Sequence, residues 1–204
     1  MKKLATLPVA ALIVAAASCT GTDRNTETVE CDGNAVIDCI MTRTSVRQFA
    51  DKPVSADTLD LLVRAGMAAP TAVNKQPWAF VVVTDRSVLD SLDAVHPHAH
   101  LGGAAAAISV CGDLKLALEG RAAEYWIQDC SAATENILLA AHACGLGAVW
   151  CGVYPDDRRV ADVTRVLQLP DSVVPLNIIT IGYPCRINTQ QYKWNLDKEH
   201  YLKC

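Results

Sequence analysis

The fold is decided by residues 122–153, AAEYWIQDCSAATENILLAAHACGLGAVWCGV. Small and apolar residues recur in the first part at steps of three and four, the spacing of one face of an α-helix: Trp126, Cys130, Ala133, Ile137, Ala141 and Cys144. Gly145 ends the helix, because glycine readily adopts the left-handed conformation that closes many helices. The run 148–153 then has the β-branched and apolar character of a strand. The stretch predicts a long helix over 122–144, a tight turn and a strand.

The segments on either side alternate between helical and extended patterns. Helices are predicted over 36–42, from the cap Ser55 to Pro70, and over 87–95 and 156–167. Strands are predicted over 79–84, as a buried strand, and over 104–111 and 175–182. Ser55 is suited to cap its helix because its hydroxyl accepts from a free backbone N–H. This order predicts a single sheet covered by helices, of α+β or α/β class.

Composition restricts the possible classes of protein. The chain has 204 residues, of which 51% are hydrophobic and 20% charged. Such a chain buries a sizeable core, which excludes intrinsic disorder for most of its length. Its net charge of −4 is opposite in sign to that of most nucleic-acid binders, so no nucleic-acid partner is expected.

The N-terminus resembles a bacterial lipoprotein signal. Lys2 and Lys3 precede an apolar run that is too short for a good transmembrane span. Small residues then lead to Cys19, the candidate lipidated residue, although a plain secretory signal or an uncleaved anchor stays open. We expect a signal peptide, a lipidated cysteine with a flexible tether, and a folded domain over 1–18, 19–34 and 35–204. The expected location is the periplasmic or outer face of a bacterial membrane.

The other cysteines and the histidines offer two further possibilities. No C-x-x-C spacing occurs, which argues against structural zinc and favours mostly free, buried thiols. A disulfide from Cys31 to Cys185 or Cys204 stays open. The alternating histidines of 96–100 could suit a metal, but a proline interrupts them, so we interpret them as a loop and expect no metal.

Two motifs point to a ligand. The run 43–47, RTSVR, flanks a hydroxyl with two guanidinium groups, whose planar forks of donors suit phosphate. A solvated basic pair at a helix end is the alternative. Residues 69–78, APTAVNKQPW, form a rigid polar loop that can contact the edge of a planar heterocycle. The alternative there is a structural connection with Trp78 in the core.

Together these segments resemble the nitroreductase family of flavoproteins. The matching segments follow the family's order and cover roughly residues 35–203: 43–49, 69–78, 129–141, 145–155 and 182–184. The resemblance implies an α+β fold with a central, mostly antiparallel sheet flanked by helices. It also implies an intertwined homodimer, with FMN bound at the interface.

The resemblance assigns FMN-binding roles along the chain. Arg43 and Ser45, with Thr44 between them, match residues at the phosphate and ribityl end, and Arg47 matches the basic residue near the flavin pyrimidine. Arg47 is expected to stabilise the reduced, anionic flavin.

Further FMN contacts are implied elsewhere in the chain. The loop that reaches the flavin from the partner subunit is matched by Pro70, Thr71, Ala72 and Asn74. Cys151 and Gly152 match the segment beside flavin N5, with Cys151 as a small packing residue. Lys193 matches a phosphate ligand, while Gln191 stands where many relatives have a second basic residue.

The implied function is an FMN-dependent oxidoreductase. It would reduce nitroaromatic or quinone-type acceptors by a two-electron, ping-pong mechanism, with NAD(P)H or another donor. The flavin carries the chemistry, so no catalytic side chain is expected. Reductive dehalogenation or flavin breakdown is an alternative, but the segment 114–121 is short for a lid. A non-catalytic, lipid-anchored flavin-binding protein is another. NAD(P)H is cytoplasmic, so an exported enzyme would need a donor such as a membrane quinol.

Overall fold

The computed structural model describes residues 33–186, 189 and 193–202. The predicted signal peptide, Cys19 and the tether up to residue 32 lie outside the described residues, as do Cys31, Gln191 and Cys204. None of the helices in the described ranges is both long enough and apolar enough to cross a membrane.

The order of elements agrees with the prediction from the sequence. The helices are α1 (Ala35–Thr42), α2 (Ala56–Met67), α3 (Arg86–Val95), α4 (Tyr125–Ala143) and α5 (Asp157–Leu167). The strands are β1 (Trp78–Val83), β2 (Ala106–Asp113), β3 (Gly147–Gly152) and β4 (Val173–Gly182). A sheet flanked by helices on an α+β plan is therefore confirmed.

The four strands form one antiparallel sheet in the order β1-β2-β4-β3. β1 and β3 are therefore the two edge strands. The prediction of a buried strand over 79–84 was wrong in this respect, because only Val83 of β1 is buried. A β-branched run predicts a strand, but its place in the sheet depends on pairings with distant segments.

Helices cover both faces of the sheet. Side chains alternate along a strand, so Ile179 and Ile181 of β4 join the core under α2 and α4. Ile178, which precedes Ile179, points to the opposite side and joins the core under α3 and α5. The long helix α4 contributes Trp126, Cys130 and Ile137 to the first core, among other residues.

Two local predictions are confirmed where helices begin and end. The Ser55 hydroxyl accepts from the Thr58 N–H at 3.2 Å and caps α2, which ends at Met67, three residues before Pro70. Gly145 follows α4 with a φ of +72°, a conformation that glycine adopts without strain. The turn therefore leads directly from the long helix into β3.

Candidate active site

The segment 43–47 lies along the outer edge of β3. The Val46 N–H donates to the Ala148 carbonyl at 3.0 Å, and Ser45 forms a parallel bridge with Ala148. The Val46 side chain is buried and packs over Gly147, where a Cβ would come within 2.6 Å of it. Side chains alternate in an extended segment, so those of Arg43, Ser45 and Arg47 lie on the side opposite Val46. The structure thus brings these three predicted site residues together at one sheet edge; Thr44, between them, is half-buried.

Arg43 is held by an acidic residue of α4. Its Nε lies 3.4 Å from the Glu135 carboxylate of α4, and its side chain is 18% exposed. The contact uses Nε, so the two terminal amino groups of the guanidinium lie outside it. The only local signal for Glu135 is an acidic residue on a mostly apolar helix, and that pattern does not identify its partner.

Beyond Ala148 the edge of β3 is open. In an antiparallel strand the N–H and C=O of one residue point the same way, alternating from residue to residue. The backbone carbonyl of Ala148 points outward to Val46, so the backbone N–H and C=O groups of Trp150 and Gly152 point outward too. No atom lies within 4 Å of the position that a Cβ on Gly152 would take. Space for a flat ligand therefore adjoins the backbone at Gly152.

Cys151 faces the protein interior beside this edge. Its Sγ donates to the Ala99 carbonyl at 3.5 Å. Burial raises the pKa of the Cys151 thiol, while a hydrogen bond with Thr180 and the charge of Arg47 act in the opposite direction. A thiol with a raised pKa is a poor nucleophile, which supports the interpretation of Cys151 as a packing residue.

The second predicted motif forms a strained loop between α2 and β1. Val73, Asn74 and Gln76 all have positive φ, at 43°, 57° and 52°. The Ala72 N–H donates to Oδ1 of Asp129 at 2.8 Å. Asp129 is only 6% exposed, so α4 anchors this loop through a buried carboxylate. Asp129 is therefore a structural hydrogen-bond partner among the apolar residues of α4.

The two sets of candidate residues lie at opposite edges of the sheet. The loop that contains Pro70–Asn74 enters β1, whereas the segment 43–47 runs along β3. The intervening strands separate these edges by about 14 Å. Both sets contact α4, but Asp129 and Glu135 point about 120° apart around it. Within one chain the loop does not complete the site beside Gly152. Lys193 lies exposed in the C-terminal tail.

Of the histidines, His96 lies beside the Gly152 carbonyl, at the end of β3. Among the described residues no group of three or more His, Cys, Asp or Glu side chains could hold a metal. His96 is 3% exposed, and neither ring nitrogen makes a hydrogen bond of good geometry. It adjoins a polar cavity of about 520 Å³ between the end of α3 and α5, lined also by His98, Arg158 and Asp162.

The chain is similar to proteins of one known family. The model of the nitroreductase family matches residues 40–107 and 96–183. A protein of Methanothermobacter thermautotrophicus (strain Delta H) is 40% identical over 181 residues, which cover 86% of this chain and 93% of that protein. A crystal structure from Bacteroides thetaiotaomicron VPI-5482 is 45% identical, covers 83% of this chain and 98% of its own, and has a TM-score of 0.78. Both carry the name "Putative NADH dehydrogenase/NAD(P)H nitroreductase".

A third relative was crystallised with a ligand. This protein of Desulfovibrio desulfuricans, solved in complex with FMN, is 29% identical, covers 83% of this chain and 99% of its own, and has a TM-score of 0.70. The residues that the family model matches include both the segment 43–47 and strand β3.

Proposed function

The chain belongs to the nitroreductase family and is an FMN-dependent oxidoreductase, and we propose that it reduces nitroaromatic or quinone-type acceptors with NAD(P)H as donor. The observation that carries the proposal is the edge of β3. There a guanidinium, a hydroxyl and an open stretch of backbone lie side by side.

The residues at this edge fit the parts of FMN. Arg43 and Ser45 present a fork of donors and a hydroxyl, which suit a phosphate and the ribityl chain that carries it. The space in front of Gly152 suits a flat ring system. When bound, FMN takes a hydride from a donor and passes two electrons to an acceptor in a second half-reaction. The two half-reactions predict ping-pong kinetics.

Arg47 is the residue expected to tune the flavin. It follows Ser45 in the segment that runs along β3, and its charge acts to lower the pKa of Cys151, the residue before Gly152. A fixed positive charge there favours a ligand that gains negative charge, because a preorganised donor needs no reorganisation. Thr44 orients this segment, and Lys193 of the tail adds a further charge for the phosphate. No side chain is required to act as nucleophile.

A second copy of the chain is proposed to complete the site. The loop with Pro70, Thr71, Ala72 and Asn74 lies at the far edge of the sheet, so it can reach FMN only from another subunit. Helix α1 supports this proposal, because its sequence AVIDCIMT is largely apolar and none of its residues is buried. Val36 and Met41 are 66% and 59% exposed. Apolar surface of this kind marks an interface.

Turnover tests this proposal directly. The purified full chain is assayed with NADPH or NADH against a nitrofuran and a benzoquinone. We expect turnover with parallel double-reciprocal plots, and a marked loss of the hydride half-reaction in Arg47→Ala. Bound FMN without turnover by any donor would contradict the proposal and favour a flavin-binding protein. Release of halide from a halogenated phenol offered in place of these acceptors, or consumption of the flavin itself, would favour the alternative chemistries.

We also propose that Cys19 is lipidated and that the protein is exported and anchored to a membrane. The support is the sequence pattern that ends at Cys19. Labelling of cells with radioactive palmitate should mark the wild-type chain and leave Cys19→Ala unlabelled. Equal labelling of the two would contradict the proposal. If the chain is exported, a membrane quinol or a partner protein would supply the electrons in the cell, and NAD(P)H would be the donor for the purified chain only.

A further inference from the structure

Arg159 of α5 contacts the backbone at the open end of β3. Its Nη1 donates to the Gly152 carbonyl at 3.0 Å. Gly152 is the last residue of the strand, and the next two N–H groups, of Val153 and Tyr154, both donate to the Leu176 carbonyl. The strand end is therefore held from one side by β4 and from the other by a charged side chain.

Arg159 is itself fixed before it reaches Gly152. Asp156, the cap of α5, accepts from the Arg159 backbone N–H at 3.0 Å and from its Nη2 at 3.1 Å. Val163, one turn further along α5, is fully buried and locks the helix to the sheet. The planar guanidinium thus spans two acceptors, a carboxylate and a carbonyl, from separate nitrogens in a rigid fork that a lysine ammonium lacks.

Glycine makes such a contact necessary. It has more backbone freedom than any other residue, and Gly152 has no side chain to restrict it. The N–H and C=O of Gly152 point outward together but belong to successive peptide units, so a donor fixed on the carbonyl restrains the rotation of Gly152 between them. Above the sheet at Gly152, no atom lies within 4 Å of the position that a Cβ would take, so a ring can approach this backbone.

The surroundings leave Arg159 as the cation at this carbonyl. His96 lies beside it, but burial lowers the pKa of His96, and the charge of Arg159 lowers it further. The Gly152 carbonyl and Asp156 act in the opposite direction. His98, the other titratable group here on the α3 side, also disfavours a charged His96. The lowered pKa disfavours a charged imidazole beside the Gly152 carbonyl.

We propose that Arg159 is a positioning residue, which holds the Gly152 peptide at the angle needed to donate to the ring of bound FMN. The proposal rests on the proposed function, since it requires FMN at the edge of β3. Arg159 does not touch the cofactor: it acts through the Gly152 backbone.

The neighbouring Arg158 provides a matched control. Its side chain is 94% exposed, and it only approaches Asp162, at 4.0 Å. Arg158→Met and Arg159→Met each remove one positive charge from the same turn of α5, but only Arg159→Met releases Gly152. FMN affinity is measured by fluorescence titration of the apoprotein, and the flavin midpoint potential by dye equilibration.

We expect Arg159→Met to weaken FMN binding by about tenfold, the effect of one hydrogen bond to a charged group. Its midpoint potential should shift as well, because the oxidised and reduced rings depend differently on a donor at this position. Arg158→Met should stay within about twofold of wild type, as exposed charges do. Arg159→Lys should recover only part of the loss.

Equal affinities and potentials in Arg158→Met and Arg159→Met would overturn the proposal. If Arg159→Met does not fold, Asp156→Asn is the variant that tests the proposal, because it keeps a capping oxygen but loosens Arg159. Its flavin midpoint potential should shift, and an unchanged potential would overturn the proposal. A wild-type chain that does not bind FMN would instead refute the proposed function.

Discussion

The buried contact between Asp129 and the strained loop gives the sharpest prediction. Asp129→Ala removes the acceptor that the Ala72 N–H reaches at 2.8 Å. A hydrogen bond to a charged group contributes about 1.5–3 kcal/mol. Ala72 is only half-buried, so water can partly replace the lost oxygen. We therefore expect the free energy of unfolding to fall by about 2 kcal/mol.

The loop should then relax from its present conformation. Each non-glycine residue with positive φ costs about 1–2 kcal/mol, and the loop holds Val73, Asn74 and Gln76 in that region. Without the anchor, these residues can return to ordinary backbone angles. Because we propose that the loop reaches FMN on the partner subunit, Asp129→Ala should weaken FMN binding as well as stability.

The assay is urea denaturation of the full chain at one fixed protein concentration, since dimerisation links stability to concentration. Thermal unfolding should show Tm lower by roughly 4–8 °C for a chain of this size. Asp129→Asn keeps an acceptor oxygen and should lose about half as much free energy as Asp129→Ala. Hydrogen exchange at the Ala72 amide should quicken in the alanine variant alone. A change below about 0.5 kcal/mol, the usual range for surface substitutions, with unchanged exchange would refute this reasoning.

Three further predictions concern the sheet edge and the polar cavity. Gly152→Ala should change the free energy of unfolding in urea by less than about 0.5 kcal/mol, because no atom lies within 4 Å of the added methyl group. It should nevertheless weaken FMN binding in fluorescence titrations, and an unchanged affinity would place the flavin ring elsewhere. Gly147→Ala places a Cβ 2.6 Å from Val46 and should destabilise the fold by about 1–3 kcal/mol, and a neutral result in urea denaturation would mean that segment 43–47 does not pack there. Burial, and then the charge of Arg159, lowers the pKa of His96 below its ordinary 6.5, so the unfolded chain binds more protons than the folded chain at acid pH. The stability that is present above pH 6.5 is therefore lost as the pH falls through the lowered pKa. His96→Phe should flatten this acid-side loss in urea titrations, and an unchanged pH profile would exclude His96 as its source.

Local structure could be predicted from the sequence because its signals lie close together along the chain. The step of three and four residues in α4, the Ser55 cap and the Gly145 turn each depend on a few neighbouring residues. The order of helices and strands follows from such signals. The position of β1 at an edge does not follow from local signals. It depends on how strands that are distant in the chain pair with one another, and β1 pairs with β2 alone.

The candidate site was only partly predictable for the same reason. The motif 43–47 and the Gly152 segment carry recognisable residue types, and the structure brings them to one edge. Glu135 and Arg159 act on them from other helices, at separations that no local pattern reports. The histidines of 96–100 suggested a loop, yet His96 is buried because α3 and α5 close over it.

One measurement tests the central claim most directly: the absorbance spectrum of the purified full chain, with FMN quantified, before and after anaerobic addition of NADPH. The account predicts visible flavin bands, stoichiometric FMN, and bleaching by NADPH. Bands that bleach only with dithionite would keep the flavin site and contradict NAD(P)H as donor. A colourless chain that does not take up added FMN would contradict the account as a whole.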